Sequence, residues 1–150
     1  MRVRRLIYLS NANEPFAVES LHELRENARH YNARQGVTGV LLYGDSRFIQ
    51  FVEGKTAGVH AVMKRIEADD RHRMNAVVYD REDSKRLFVG WDFAYEHGTP
   101  SLPADVFADW IKTHLIRQVT DEEDLRAVQL LYNFCEDLVS SRKALIVLAV

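Results

Sequence analysis

Strand-like and helix-like patterns take turns along this chain, and that order constrains the fold more than any single motif. VRRLIYLS, 3–10, alternates Val3, Arg5, Ile7 and Leu9 against Arg4, Leu6, Tyr8 and Ser10. Successive strand side chains point to opposite faces, so both faces here are largely apolar and both are expected to be covered. ESLHELRENARHYN, 19–32, carries Leu21, Leu24 and Ala28 on one helical stripe. Asn32 follows Leu21 by close to a whole number of turns and so belongs to the buried side. VTGVLLYG and RFIQFVEG, separated by a Gly-Asp-Ser turn, read as an antiparallel hairpin. AGVHAVMKRIEADD, 57–70, reads as a second amphipathic helix with Val59, Val62, Met63 and Ile66 at core spacing. MNAVVYD and RLFVGWDFAYE supply two more strand patterns. The resulting β-α-β-β-α-β-β order predicts an α+β, ferredoxin-like sheet with two helices on one face.

After Pro100 and Pro103 the pattern turns helical near 104–115 and 121–140. Thr120 and Glu123 stand at capping-box spacing before the second stretch. These two C-terminal helices are expected either to cover the other face of the sheet or to project away from it. The ending ALIVLAV, 144–150, is too short to span a bilayer and costly to leave wet. It reads as a cover for the chain's own sheet or another subunit's, or as a frayed tail.

Composition narrows the function classes. A chain of 150 residues with 47% hydrophobic residues can bury one good core without disulfides or metals. Cys135 has no partner for a bridge, and neither a secretory segment nor a membrane-length apolar run is visible, so a cytoplasmic location is expected, with no membrane partner. A formal net charge of −2, with Arg2, Arg4 and Arg5 as a short basic cluster, speaks against nucleic acid. His22, His30, His60, His72, His97 and His114 form no recognised ligand motif, so no metal site is expected. G-x-S-x-G, a P-loop and G-x-G-x-x-G are absent as well.

The chemistry lies in polar groups set among apolar ones. Tyr8, Asn32 and Gln50 come from different elements and converge if all three face the same helix layer. A buried amide left unpaired costs about 1–3 kcal/mol, so such a group needs mutual bonds or a polar ligand. A flat heterocycle bearing carbonyl and N–H edges would satisfy it. Arg65, Asp69 and His72 fall at i, i+4 and i+7, one stripe that could hold a sugar alcohol or phosphate tail, provided the helix or its cap runs that far. Plainer readings stand beside these. Arg65 with Asp69 equally describes a solvated helix-face pair, Tyr8 a core tyrosine, Asn32 a helix-ending residue, and Gln50 an amide capping a neighbouring strand or loop.

Together, LIYLS with Tyr8, Asn32 followed by GVTGVLLY, RFIQFVEG with Gln50, RIEADDRHR and FVGWDF with Trp91 resemble the BLUF domain, a flavin-binding blue-light sensor. The resemblance covers about residues 3–96, in order and at matching spacings, and the tail to about 140 is similar to the two C-terminal helices of short, stand-alone members. It implies that FAD lies between the first two helices and that Gln50 bridges the flavin and Tyr8. It further implies that Asn32 bonds the pyrimidine edge, that Arg65, Asp69 and His72 lie near the ribityl chain, ring edge or phosphates, and that Leu24, Phe48 and Ile66 form apolar walls. The implied mechanism is photochemical. Excited flavin oxidises Tyr8, Gln50 relays a proton, and the rearranged amide strengthens a bond to the flavin C4 carbonyl, giving a small red shift that decays in the dark.

On this reading 1–98 is the flavin-binding unit, 99–150 is a helical extension of the same domain, and the protein is a sensor rather than a turnover enzyme. Trp91 and Phe93, on one face of the last strand, are the expected output residues. Phe93 stands where the family usually has methionine; Tyr31 and Asp70 are two further departures. Output is expected through a protein effector acting in trans or through a homo-oligomer. The alternatives are a light-independent interaction module without productive flavin binding, and a small redox flavoprotein with a dissociable partner.

Overall fold

β1 (Val3–Ala12) takes an interior place in the sheet because its apolar side chains on both faces need cover. In the computed structural model, which describes residues 2–88 and 104–150, β1 pairs antiparallel with β3 (Arg47–Gly54) on one side and with β4 (His72–Asp83) on the other. β2 (Thr38–Gly44) pairs with β3, and β5 (Ile146–Ala149) with β2. The described strands thus form one antiparallel sheet in the order β4-β1-β3-β2-β5. Helices α1 (Val18–Arg34) and α2 (Thr56–Glu67) pack on one face. The other face carries α3 (Ala104–Trp110), which runs on into a π-helical turn at Ile111–Leu115, and α4 (Glu122–Ser140). This is the expected ferredoxin-like architecture, with the C-terminal helices covering the sheet.

The largest buried cluster explains that cover. Ile7, Val40, Leu42, Ile49 and Phe51 point away from α1 and α2 and meet Phe107, Ile111, Val128, Leu131 and Cys135. Each such side chain contributes roughly 1.5–3 kcal/mol on burial, far too much to leave the face wet. Burial also pushes the Cys135 thiol up to about 12. A polar latch flanks this core. Arg5, 3% exposed, pairs with Asp124 of α4 at 2.9 Å and with Asp83 at 3.1 Å, while the Tyr79 hydroxyl donates to Asp124 at 2.5 Å.

Local signals account for the connections. Asp45 and Ser46 both carry positive φ, 53° and 58°, as a type I′ hairpin requires, so the β2–β3 loop is two residues long. Helix α1 stops at Gly36, whose φ of +66° a side chain would disfavour. α4 is capped by Asp121 rather than by Thr120: the Asp121 carboxylate accepts from the Glu123 and Asp124 N–H groups and is also held by Arg81. The tail reading resolves in favour of the chain's own sheet, because β5 lies along β2 with Leu41 opposite Leu148 and Tyr43 opposite Ile146.

Of the strand expected at 86–96, Arg86, Leu87 and Phe88 carry no strand, and the rest lies outside the described residues. These three residues seal the end of the sheet instead. Arg86 donates to the Gly36 carbonyl at 2.7 Å and to Thr38 Oγ1 at 2.6 Å, and Phe88 packs on Phe51 with ring centroids 4.6 Å apart. The fully buried Glu53 carboxylate accepts the Leu87 and Phe88 N–H groups at 2.7 and 2.9 Å. Burial raises its pKa, although those two backbone bonds pull the other way.

Candidate functional site

α1 and α2 leave between them, over β1 and β3, a cleft of about 290 Å³. Its floor is set by strand alternation. Tyr8 and Gln50 are register partners on the helix-facing side of β1 and β3, each only 4% exposed. The Tyr8 hydroxyl donates a hydrogen bond to Gln50 Oε1, which leaves the amide nitrogen as the donor end of that group. Burial, and secondarily the charge of Asp69, raises the Tyr8 pKa well above the ordinary tyrosine range. The phenol is therefore neutral and able to donate.

Asn32 enters from α1. Its backbone carbonyl accepts from Val37 N–H at 2.9 Å and so does help end the helix. Its side chain does something else: Nδ2 is buried, reaches the cleft and has no hydrogen-bond partner among the described residues. Ser10 Oγ is in the same position. Two orphaned polar atoms beside a bonded Tyr–Gln pair are what a flat ligand with donor and acceptor edges would complete.

The remaining expected residues also reach this cleft, but by different routes. Leu24 and Phe48 line it from α1 and β3, and Ile66 from α2. Arg65, Asp69 and His72 line it too, yet not as a helical stripe. α2 ends at Glu67, with Ala68 as its C-cap, so Asp69 sits in the loop and His72 opens β4. Asp69 is clamped by Arg71 at 2.6 Å, and that hydrogen bond keeps its carboxyl below the usual carboxylate range. His72 Nε2 lies 2.7 Å from the Ile66 carbonyl oxygen, tying the start of β4 to α2. The Arg65 guanidinium stacks 4.5 Å over the Tyr31 ring, so Tyr31 positions a cation at the mouth. Trp91 and Phe93 lie outside the described residues.

Eight lining residues were not among the expected site residues, and three of them carry polar or aromatic groups next to expected ones. Ser10 shares its face with Tyr8 by simple alternation, Arg71 adjoins Asp69, and Phe16 packs edge-on against Phe48 at 5.2 Å. Only Ser10 had a signal that could have found it. Among the described residues no group of three or more His, Cys, Asp or Glu is placed to hold a metal ion. No described helix is long and apolar enough to cross a membrane.

Known proteins resemble the chain over this same region. The family model for BLUF, sensors of blue-light using FAD, matches residues 3–94. Photoactivated adenylate cyclase subunit alpha of Euglena gracilis is 32% identical over 98 residues, covering 64% of this chain and 10% of the relative. The chain thus spans about a tenth of the length of that relative. Klebsiella pneumoniae BlrP1, solved with FMN and cyclic diGMP and no metal ions, superposes with a TM-score of 0.65 at 27% identity, over 90% of this chain and 35% of that one. BlrB, a BLUF protein solved in the dark state, gives 0.59 at 22% identity over 91% of this chain and 98% of that one, a likeness of fold.

Proposed function

The chain belongs to the BLUF family of flavin-based blue-light sensors, and from that premise we propose that it is a photoreceptor in which Tyr8 and Gln50 form the light-driven switch. The observation that carries the proposal is the buried Tyr8–Gln50 hydrogen bond beside the orphaned Asn32 amide. Flavin, when bound, supplies visible absorption and a strongly oxidising excited state. The protein supplies the rest. Asn32 and Ser10 would hold polar edges of the ring, while Leu24, Phe48 and Ile66 would exclude water from it. Arg65 and His72 would hold the polar tail, and Asp69 keeps Arg71 in place. With flavin bound, Tyr8 would supply an electron to the photoexcited ring and its hydroxyl proton to the same ring by way of Gln50, whose Oε1 already accepts from that hydroxyl. A rearranged Gln50 amide would turn a donor toward a ring carbonyl, and that extra bond would shift the absorption to the red.

FAD is the flavin we assign, following the family description; FMN, present in the solved BlrP1, is the competing form. Residues 1–98 constitute the flavin-binding unit and 99–150 its helical extension. The switch turns over no substrate, so its output passes to a partner protein acting in trans or to a change of assembly within the cytoplasm. Trp91 and Phe93 remain part of the proposed output route.

Visible absorption of dark-purified protein before, during and after blue illumination tests the reading. Flavin bands with a reversible red shift support it. Flavin without the shift points to a redox flavoprotein, and a colourless sample that refuses added FAD points to a light-independent interaction module. Either result overturns the proposal.

A further inference from the structure

Two arginines reach the cleft, one from α2 and one from the turn after it, and they are held differently. Arg71 is already neutralised: its guanidinium clamps Asp69 at 2.6 Å and lies 5.4 Å from the centre of the Phe16 ring. Arg65 keeps its charge. Its partners are the Tyr31 ring, whose centre is 4.5 Å from the guanidinium carbon, and the Asn27 carbonyl, which accepts from Nη1 at 3.4 Å. Neither partner is an anion, and among the described residues Arg65 pairs with no carboxylate.

Both partners belong to α1. Asn27 and Tyr31 stand at i and i+4, neighbours on one face of that helix. The Tyr31 ring is itself fixed, because it packs on the buried cluster that holds Val59, Val62 and Met63 of α2. Arg65 therefore reaches from α2 to α1 at an exposed position where its long side chain would otherwise be free. Stacking on an aromatic face engages the plane of the guanidinium and leaves its outward N–H donors available. Those donors suit a phosphate, which arginine binds through parallel charge-assisted hydrogen bonds. A side chain ordered before its ligand arrives also loses less freedom on binding.

We propose that Tyr31 is a specificity-determining residue: by holding the Arg65 guanidinium at the mouth of the cleft, it makes the site prefer flavins that carry a phosphate on the tail over the unphosphorylated ring and ribityl chain. The inference rests on the flavin reading above and adds to it the residue that sets this preference. Tyr31 acts through Arg65, so its contribution must vanish when Arg65 is gone.

Fluorescence titration of the flavin-free full chain with riboflavin and with FMN tests it, since the two differ by one phosphate. FMN is expected to bind about tenfold more tightly or better, and the gap to narrow as salt is raised. Tyr31→Leu keeps an apolar side chain on the cluster but has no aromatic face; it is expected to cut the preference roughly two- to fivefold by weakening FMN alone. Tyr31→Phe is expected to restore it. Arg65→Gln is expected to erase the preference, and adding Tyr31→Leu to Arg65→Gln to change it no further. A Tyr31→Leu protein that weakens riboflavin and FMN alike, or keeps the full preference, overturns the inference. So does equal binding of the two flavins by the unsubstituted chain, and in each of these cases the flavin site stands. A chain that binds neither flavin overturns both readings.

Discussion

Gln50 presents the two ends of one amide, an acceptor already taken by Tyr8 and a donor at the other end. Leucine has the bulk to fill the site and neither function. Gln50→Leu is therefore expected to retain flavin and lose the red shift, and Tyr8→Phe to lose it through want of a phenol proton; difference spectra under blue light check both. Asn32→Ala removes the orphaned donor and is expected to weaken flavin binding roughly tenfold, measured by fluorescence titration. The buried Tyr8 phenol also sets a pH dependence. Its folded pKa is raised, so whatever it contributes to stability is fully present below the ordinary tyrosine value of about 10 and is lost only as pH rises beyond it. The amplitude of the red shift should accordingly hold level through pH 9, and a spectral titration would reveal any earlier loss.

At the scale of elements, Glu53 shows how one side chain ends a sheet. Its carboxylate replaces strand partners for the Leu87 and Phe88 N–H groups. Glu53→Ala orphans both and is expected to destabilise the fold by about 2–5 kcal/mol, with Glu53→Gln milder because one amide oxygen remains; urea unfolding separates the two. Strand and helix order was legible because period-two and period-3.6 patterns are strong in VRRLIYLS, RFIQFVEG and the first two helices. The end of α2 was not, since ADD offers neither glycine nor proline as a stop, and the turn that puts Asp69 and His72 in the cleft is decided by the clamp from Arg71. Thr120 and Asp121 are both good caps, and Arg81 on β4 favours the carboxylate. The site was legible at Tyr8, Asn32 and Gln50, where polar groups interrupt apolar faces; Ser10 shared the face of Tyr8 by alternation but passed unnoticed because its small side chain makes little contrast there, and Phe16 and Arg71 left no signal at all.

Across the whole molecule, the sheet has two faces with different tasks. α1 and α2 leave a cleft on one, and the other is closed by α3 and α4 around a buried charge pair. Removing Asp124 leaves Arg5 with Asp83, the Lys85 carbonyl and the Tyr79 hydroxyl as partners. Asp124→Ala is expected to cost about 3 kcal/mol and to lower the melting temperature without moving the flavin spectrum, because Arg5 and Tyr8 point to opposite sides of β1. Calorimetry with a visible spectrum of the same sample checks this. Neither Arg5 nor Asp124 stood out in the sequence, since a buried ion pair between residues so far apart in the chain leaves no local pattern.

Cys135 lies in the closed layer, fully buried, with its thiol pushed up to about 12. A thiol so protonated and so enclosed reacts with alkylating reagents only when α4 lifts from the sheet. The protein thus carries its own clock. Labelling times taken in darkness and in light would time the opening of the helical layer, separately from any change at the chromophore, without a single engineered residue.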